Sequence, residues 1–214
     1  MAGRTRDPAL GLDAQKKSLA AAERDEQART AYRERVATRA MQDFVVVDEC
    51  GSNINLTPIY ARAPRGLRAY GLVLRNTEKN TTLIASMTTV GMGPALLLDG
   101  ATDTAAFEVY VEQVLAPELR PGQVVVIDNL SAHKSERVRT VIEARGCELW
   151  FLPAYSPDLS PIEEAFSKLK ALVRRAEART RDALYDAIAT ALERITPSDA
   201  HGYFQHGGYG TQVQ

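Results

Sequence analysis

The chain has 214 residues, with 26 Lys and Arg against 27 Asp and Glu, a formal net charge of −1 and a pI near 6.3. It is 45% hydrophobic and 25% charged, a composition for one globular domain plus an appendage, and any basic surface must be local. No apolar run approaches the roughly 20 residues of a membrane helix, the N-terminus lacks an apolar leader core, and Cys50 and Cys147 make neither a disulfide framework nor a CxxC pair. Buried free thiols in a cytoplasmic protein, with no membrane partner, are the expectation.

Residues 1–13 are polar and carry Pro8 and Gly11, and are expected to be loose. Residues 14–40 are rich in Ala, Arg, Glu and Gln, which favours helix. Their larger apolar residues are few, so a solvated connecting helix is expected, with an arm for DNA or a second subunit as the alternative. Phe44-Val45-Val46-Val47 reads as a strand buried on both faces and ends at Asp48-Glu49. Residues 54–75 hold Pro58, Pro64, Gly66, Arg62, Arg65, Arg68 and Arg75, with no acid between Glu49 and Glu78. A basic hairpin or extended loop follows, suited to phosphate contact.

Thr81–Thr88 and Ala95–Leu98 are two further strands, with a turn at Gly91-Met92-Gly93-Pro94 between them. Thr102 or Asp103 caps a helix to Leu115. Val124–Ile127 is a fully apolar strand that also ends in acid, Asp128-Asn129. A helix over Ser135–Ala144 and a strand over Glu148–Leu152 come next. The turn-rich PAYSPDLSP then gives way at Pro161 to a helix with Ile162, Ala165, Phe166, Leu169, Leu172 and Val173 at helical spacing. A last helix is expected over Thr180–Ile195, with an irregular His206–Gly210 tail.

The order β-β-β-α-β-α-β-α predicts an α/β fold with a mixed five-stranded sheet, three antiparallel strands followed by parallel ones, flanked by helices. If the first and fourth strands are neighbours, Asp48 and Asp128 meet at one edge, where open sheets keep their chemistry. The helix from Pro161 then brings Glu163 or Glu164 to them. Ser160-x-x-Glu163 is also a capping box, and that reading of Glu163 stands beside the ligand reading. Glu49 alternates to the other face of its strand. Three gathered carboxylates repel one another and call for a cation. Hard oxygen donors select Mg²⁺ or Mn²⁺. Two such ions, about 3.5–4 Å apart, would clamp an in-line phosphoryl transfer. Beyond them Lys168, Lys170, Arg174, Arg175, Arg179 and Arg181 form a basic run, and His133-Lys134 follow Asp128 closely. DNA-backbone contact is expected from the run, and a phosphate contact is open to His133 and Lys134 beside the blander reading of a surface pair.

The segments VVVDE, VVVIDNLSAHKS and FLPAYSPDLSPIEEAFSKLK together resemble the catalytic domain of IS630-type transposases, of the IS630/Tc1/mariner superfamily. The resemblance covers about residues 41–210 and implies an RNase H-like fold with a DDE triad: Asp48, Asp128 and, by the PIE motif, Glu163. Asp128 and Glu163 enclose 34 residues, the family spacing, which Glu164 would break. It further implies a metal-dependent enzyme that cuts DNA strands and joins them to target DNA, acting as a homodimer on transposon ends. Ser160 stands where the family often has Asn, and Gly207-Gly208-Tyr209 where it often has CGY. Residues 1–40 have no room for the family's helix-turn-helix domain, so a separate N-terminal helix-turn-helix subunit, or a truncated copy, is the expectation. The alternatives are a hydrolytic RNase H-like nuclease and an inert DNA-binding remnant.

Overall fold

The computed structural model describes residues 6–7, 12–13, 21–73, 80–130 and 133–210. Five strands form one sheet: β1 (Phe44–Ser52), β2 (Thr81–Thr88), β3 (Gly91–Asp99), β4 (Val124–Ile127) and β5 (Glu148–Phe151), in spatial order β3-β2-β1-β4-β5. β1, β2 and β3 pair antiparallel, whereas β4 is parallel to both β1 and β5. A separate two-residue ladder pairs Arg6–Asp7 with Leu12–Asp13, where the sequence suggested loose chain. The expected turn at residues 91–94 lies slightly earlier, at Thr89-Val90, and β3 already includes Pro94. Pro94 is tolerated there because β3 is an edge strand.

The sheet is covered on both faces. Phe44, Val46 and Cys50 of β1 and Val124 and Val126 of β4 face a core built with α1 (Glu26–Ala37), α4 (Pro161–Ala176), α5 (Arg181–Glu193) and α6 (Pro197–His206). Val45, Val47, Val125 and Ile127 face the second core, under α2 (Thr104–Val109, continued by a π-helical stretch to Leu115) and α3 (Glu136–Ala144). All four β4 residues are fully buried, which is why that strand is an unbroken apolar run. Each such side chain contributes about 1.5–3 kcal/mol of burial. Cys50 and Cys147 are buried free thiols.

Two expectations for the ends of the chain are corrected. The N-terminal helix is no solvated connector: Tyr32 and Val36 enter the α4-side core and Arg29 is buried with them. Arg35 also lies over the Trp150 ring, 3.7 Å from its centroid. The C-terminal tail is ordered too. The additional helix α6 is started by a Thr196–Asp199 capping box. Tyr209 is buried against Phe44 and Phe204, and its hydroxyl lies 2.8 Å from that of Tyr32. Gly207 packs on the start of α4, where an added Cβ would meet Pro161 Cγ at 3.1 Å.

Candidate active site

The register of β1 on β4 fixes the first two acids. Phe44, Val45 and Val46 pair with Val124, Val125 and Val126, a constant offset of 80 that Asp48 and Asp128 share two positions further on. Asp48 is not the end of its strand, as the sequence suggested, since β1 runs on to Ser52 against β2. It lies where β4 has stopped, so its β4 side opens into a cleft. By alternation it shares the α4 face with Val46 and Cys50.

α4 supplies the third acid. Asp48, Asp128 and Glu163 line one cleft of about 350 Å³ together with Asn129, Leu130, Leu152, Pro153, Ala154, Tyr155, Ser156, Pro157 and Ser160. The capping box at Ser160 is absent. The Ser160 side chain makes no cap bond, and its amide donates instead to the Pro157 carbonyl at 2.9 Å. Glu163 is thereby released from the role of cap partner. Glu164 accepts from His206 Nδ1 on α6, away from the cleft. The structure therefore separates two neighbouring carboxylates that sequence pattern barely distinguished.

Burial holds the Asp48 carboxyl up at about 7, and the charges of Glu163, Asp128 and Glu49 push the same way, against a hydrogen bond from the Glu49 amide that lowers it. This is the electrostatics of a site short of positive charge. All three donors are hard oxygens, the kind that suits Mg²⁺ or Mn²⁺. Among the described residues, no group of three acidic, His or Cys side chains stands within ligating distance of a common point. Carboxylates that repel one another have no reason to converge until a cation offsets the repulsion.

His133 is not a surface contact for phosphate. It is 2% exposed. Its Nδ1 bonds Asp128 Oδ1, its Nε2 lies 3.1 Å from Glu49 Oε1, and its ring packs on Phe107 with centroids 4.1 Å apart. Burial lowers its pKa, but the bonds to Asp128 and Glu49 outweigh burial and bring it up to about 9, so both ring nitrogens donate at neutral pH. Asp128 Oδ1 also accepts the Leu130 amide at 3.1 Å. Glu49, on the far face of β1, acts on the site through this histidine. The signal for that pairing was spatial only.

The basic candidates divide. Arg62, Arg65 and Arg68 lie on the exposed loop after β1, which has no helix or strand over residues 53–73; Arg75 lies outside the described residues. Lys134 and Arg175 are exposed and Arg174 half-buried. Lys168 instead pairs with Asp199 at 2.6 Å, and Lys170 lies beside the buried Cys50 thiol. Arg179 Nη1 holds the Ile54 and Leu56 carbonyls at 3.3 and 2.9 Å, and Arg181 pairs with Asp99 at 2.6 Å. The basic run past Glu163 is therefore no continuous solvated face.

Residues 43–185 match the DDE superfamily endonuclease family, well over half of the chain. The chain belongs to this family. The DDE chain is 29% identical over 118 residues to the transposable element Tc1 transposase of Caenorhabditis elegans, covering 53% of this chain and 43% of that one. Its fold is similar to a pre-cleavage Mos1 transpososome, with a TM-score of 0.73 at 15% identity over 94% of this chain and 65% of that one. It is also similar to the catalytic domain of Mos1 mariner transposase, with a TM-score of 0.60 at 16% identity over 89% and 93% of the two chains. The DDE chain thus spans less than two thirds of Tc1 transposase and of the transpososome chain. Its mixed sheet with helices on both faces is the RNase H-like fold, and the relatives are of the Tc1/mariner type that its motifs resemble.

Proposed function

We propose that this chain is the catalytic domain of a DNA transposase, with Asp48, Asp128 and Glu163 as its DDE triad. The observation that carries the reading is the cleft shared by these three acids at the point where β4 ends and α4 begins. Family membership and the Tc1 relative support it. The domain takes in residues 41–210, and α1 belongs with it because its buried face completes the same core.

The three carboxylates are the groups that would hold Mg²⁺ or Mn²⁺, and two ions suit the reaction. Mos1 mariner paired-end complexes of similar fold are known with Mn and with Mg. When bound, the metal offsets the clustered negative charge and stabilises charge on the attacking and leaving oxygens of phosphoryl transfer. The protein's own residues set the geometry. β1 and β4 fix Asp48 and Asp128 side by side, His133 holds Asp128 by Oδ1, and α4 presents Glu163. Arg62, Arg65, Arg68, Lys134, Arg174 and Arg175 are the backbone-phosphate contacts, together with Lys170, which borders Cys50 as Asp48 and Glu163 do. Lys168 contributes only if its pair with Asp199 opens. The DNA is that of transposon ends and target, engaged by a homodimer with a separate helix-turn-helix subunit reading the ends.

The test is Mn²⁺-dependent nicking of plasmid, and joining of a labelled 3′-hydroxyl end to it, by wild type and Glu163→Gln. Cutting and joining that the variant loses is the expected result. Cutting without joining favours a hydrolytic nuclease. DNA binding without cleavage favours an inert remnant.

A further inference from the structure

One wall of the cleft is built from a residue in an unfavourable backbone conformation. Tyr155 has φ +55°, in the left-handed region, one of two such non-glycine residues among those described. An L-residue with a Cβ is disfavoured there, and an aromatic side chain more so than Asn or Gly. The loop around it is fixed from several sides. The Leu152 amide donates to the Ile127 carbonyl at 2.9 Å, and Ser156 Oγ donates to the Ala154 carbonyl at 3.1 Å. The Tyr209 hydroxyl donates to the Leu159 carbonyl at 3.1 Å, and Arg29 grips Asp158. These contacts impose the conformation on Tyr155.

Tyr155 itself gains nothing from it in the protein alone. The residue is 59% exposed, and its hydroxyl has no hydrogen-bond partner among the described residues. Leu130, 57% exposed, lines the same cleft just after Asp128. Two exposed apolar side chains, one held under strain, thus flank three acids. Strain kept where it brings no packing is the mark of a functional position.

The occupant of the cleft, on the reading above, is a DNA strand whose phosphate sits at the acids. The adjoining apolar wall then meets a sugar or a base. A base inside a duplex is already stacked on both faces, whereas a base at a strand end or splayed from its partner has a free face. We infer that Tyr155 stacks on an unpaired nucleobase beside the scissile phosphate, in the cleft that Leu130 also lines, and so positions the strand for cutting. The inference rests on the proposed function and makes Tyr155 a positioning residue.

The experiment uses the full chain with Ca²⁺ in place of Mn²⁺, and a duplex bearing a short single-stranded overhang with 2-aminopurine at its junction. A blunt duplex of the same sequence is the reference. Wild type and Tyr155→Phe are expected to quench the 2-aminopurine and to prefer the overhang. Tyr155→Asn, which tolerates the left-handed backbone, is expected to lose the quenching and weaken overhang binding by roughly tenfold or more, with blunt-duplex affinity unchanged. The same variant is expected to melt about 2–4 °C higher, since it relieves strain. A Tyr155→Asn protein that still quenches and still prefers the overhang overturns the inference, as does one that melts lower, because the ring then serves the fold. If wild type binds and cuts DNA but the variants match it, only the stacking fails. If wild type neither binds nor cuts any DNA, the transposase reading falls with it.

Discussion

Arg29 of α1 donates Nη1 and Nη2 to the two carboxylate oxygens of Asp158, at 2.9 and 2.6 Å, across 129 positions of sequence. The guanidinium is fully buried and the carboxylate is half exposed. The pair ties the N-terminal helix to the loop that carries Tyr155 and leads into α4. Its two halves are not equivalent. Removing Asp158 leaves a buried cation with only the longer contact of its Nε to Glu26, at 3.5 Å, whereas removing Arg29 leaves a carboxylate that water can reach.

Asp158→Ala is therefore expected to destabilise more than Arg29→Met. Allowing for the exposure of Asp158, the loss is about 2–4 kcal/mol for Asp158→Ala and under about 2 for Arg29→Met. The hydrogen bond from Arg29 holds the Asp158 carboxyl below its usual range. A lowered carboxylate contributes stability above its unfolded pKa of about 4 and loses it as pH falls through the folded value. Thermal melts of wild type and Asp158→Ala should thus differ at pH 7 and converge below about pH 4.

Asp48 has the opposite sign. Its folded pKa, up at about 7 chiefly through burial, means the fold disfavours the charged form. Stability is then lost as pH rises from about 4 through 7, because the unfolded chain releases the proton first. In chelator, Asp48→Asn should match wild type near pH 4 and exceed it by about 1–3 kcal/mol at pH 8. Added Mn²⁺ should reverse the order at pH 8 by stabilising only wild type. Melting curves at the two pH values, with and without Mn²⁺, check both statements.

His133 should show a third profile. A histidine raised to about 9 contributes fully below its unfolded value of about 6.5 and loses the contribution as pH rises through 9. His133→Leu leaves Asp128 and Glu49 without their shared partner, at a cost of about 1–3 kcal/mol near pH 6. The difference from wild type in chelator should shrink by pH 9.5. A gap that stays constant over that range would mean that packing on Phe107, and not charge, is what the histidine supplies.

Glu163 and Glu164 should separate cleanly in activity. Glu163→Gln is expected to abolish Mn²⁺-dependent cleavage. Because Ser160 is not capped by it, the melting temperature should change by less than the 2–4 °C of about 1 kcal/mol. Glu164→Gln weakens the contact to His206 and should leave cleavage within a few-fold. Equal loss of cleavage in both variants would contradict the assignment.

The strands were legible because their apolar runs are continuous. Phe44–Val47 and Val124–Ile127 read as buried runs, the strand read over Glu148–Leu152 is Glu148–Phe151, and Thr81–Thr88 was read with its full bounds. The start of α4 was legible from Pro161 and the periodic Ile162, Phe166 and Leu169 behind it. α1 and α6 were not. Their buried faces rest on Tyr32, Val36, Ala200 and Phe204, too few apolar residues for a helical pattern to show alone. The contact of Tyr32 with Tyr209, just past the end of α6, spans 177 positions of the chain.

Local pattern by itself determined the order of the five sheet strands and of the helices between them, the mixed sheet and the two strand-linked acids, since burial periodicity and turn chemistry act within a few residues. Tertiary structure decided what depends on distance in space. It placed Asp48 opposite the end of β4, gave Glu163 to the cleft and Glu164 to His206, and took His133 from the surface into a bridge between Asp128 and Glu49. It also spent Lys168, Arg179 and Arg181 on internal contacts. A charged side chain has the same propensity wherever it points, so its partner is fixed only when the packed elements bring another group within reach.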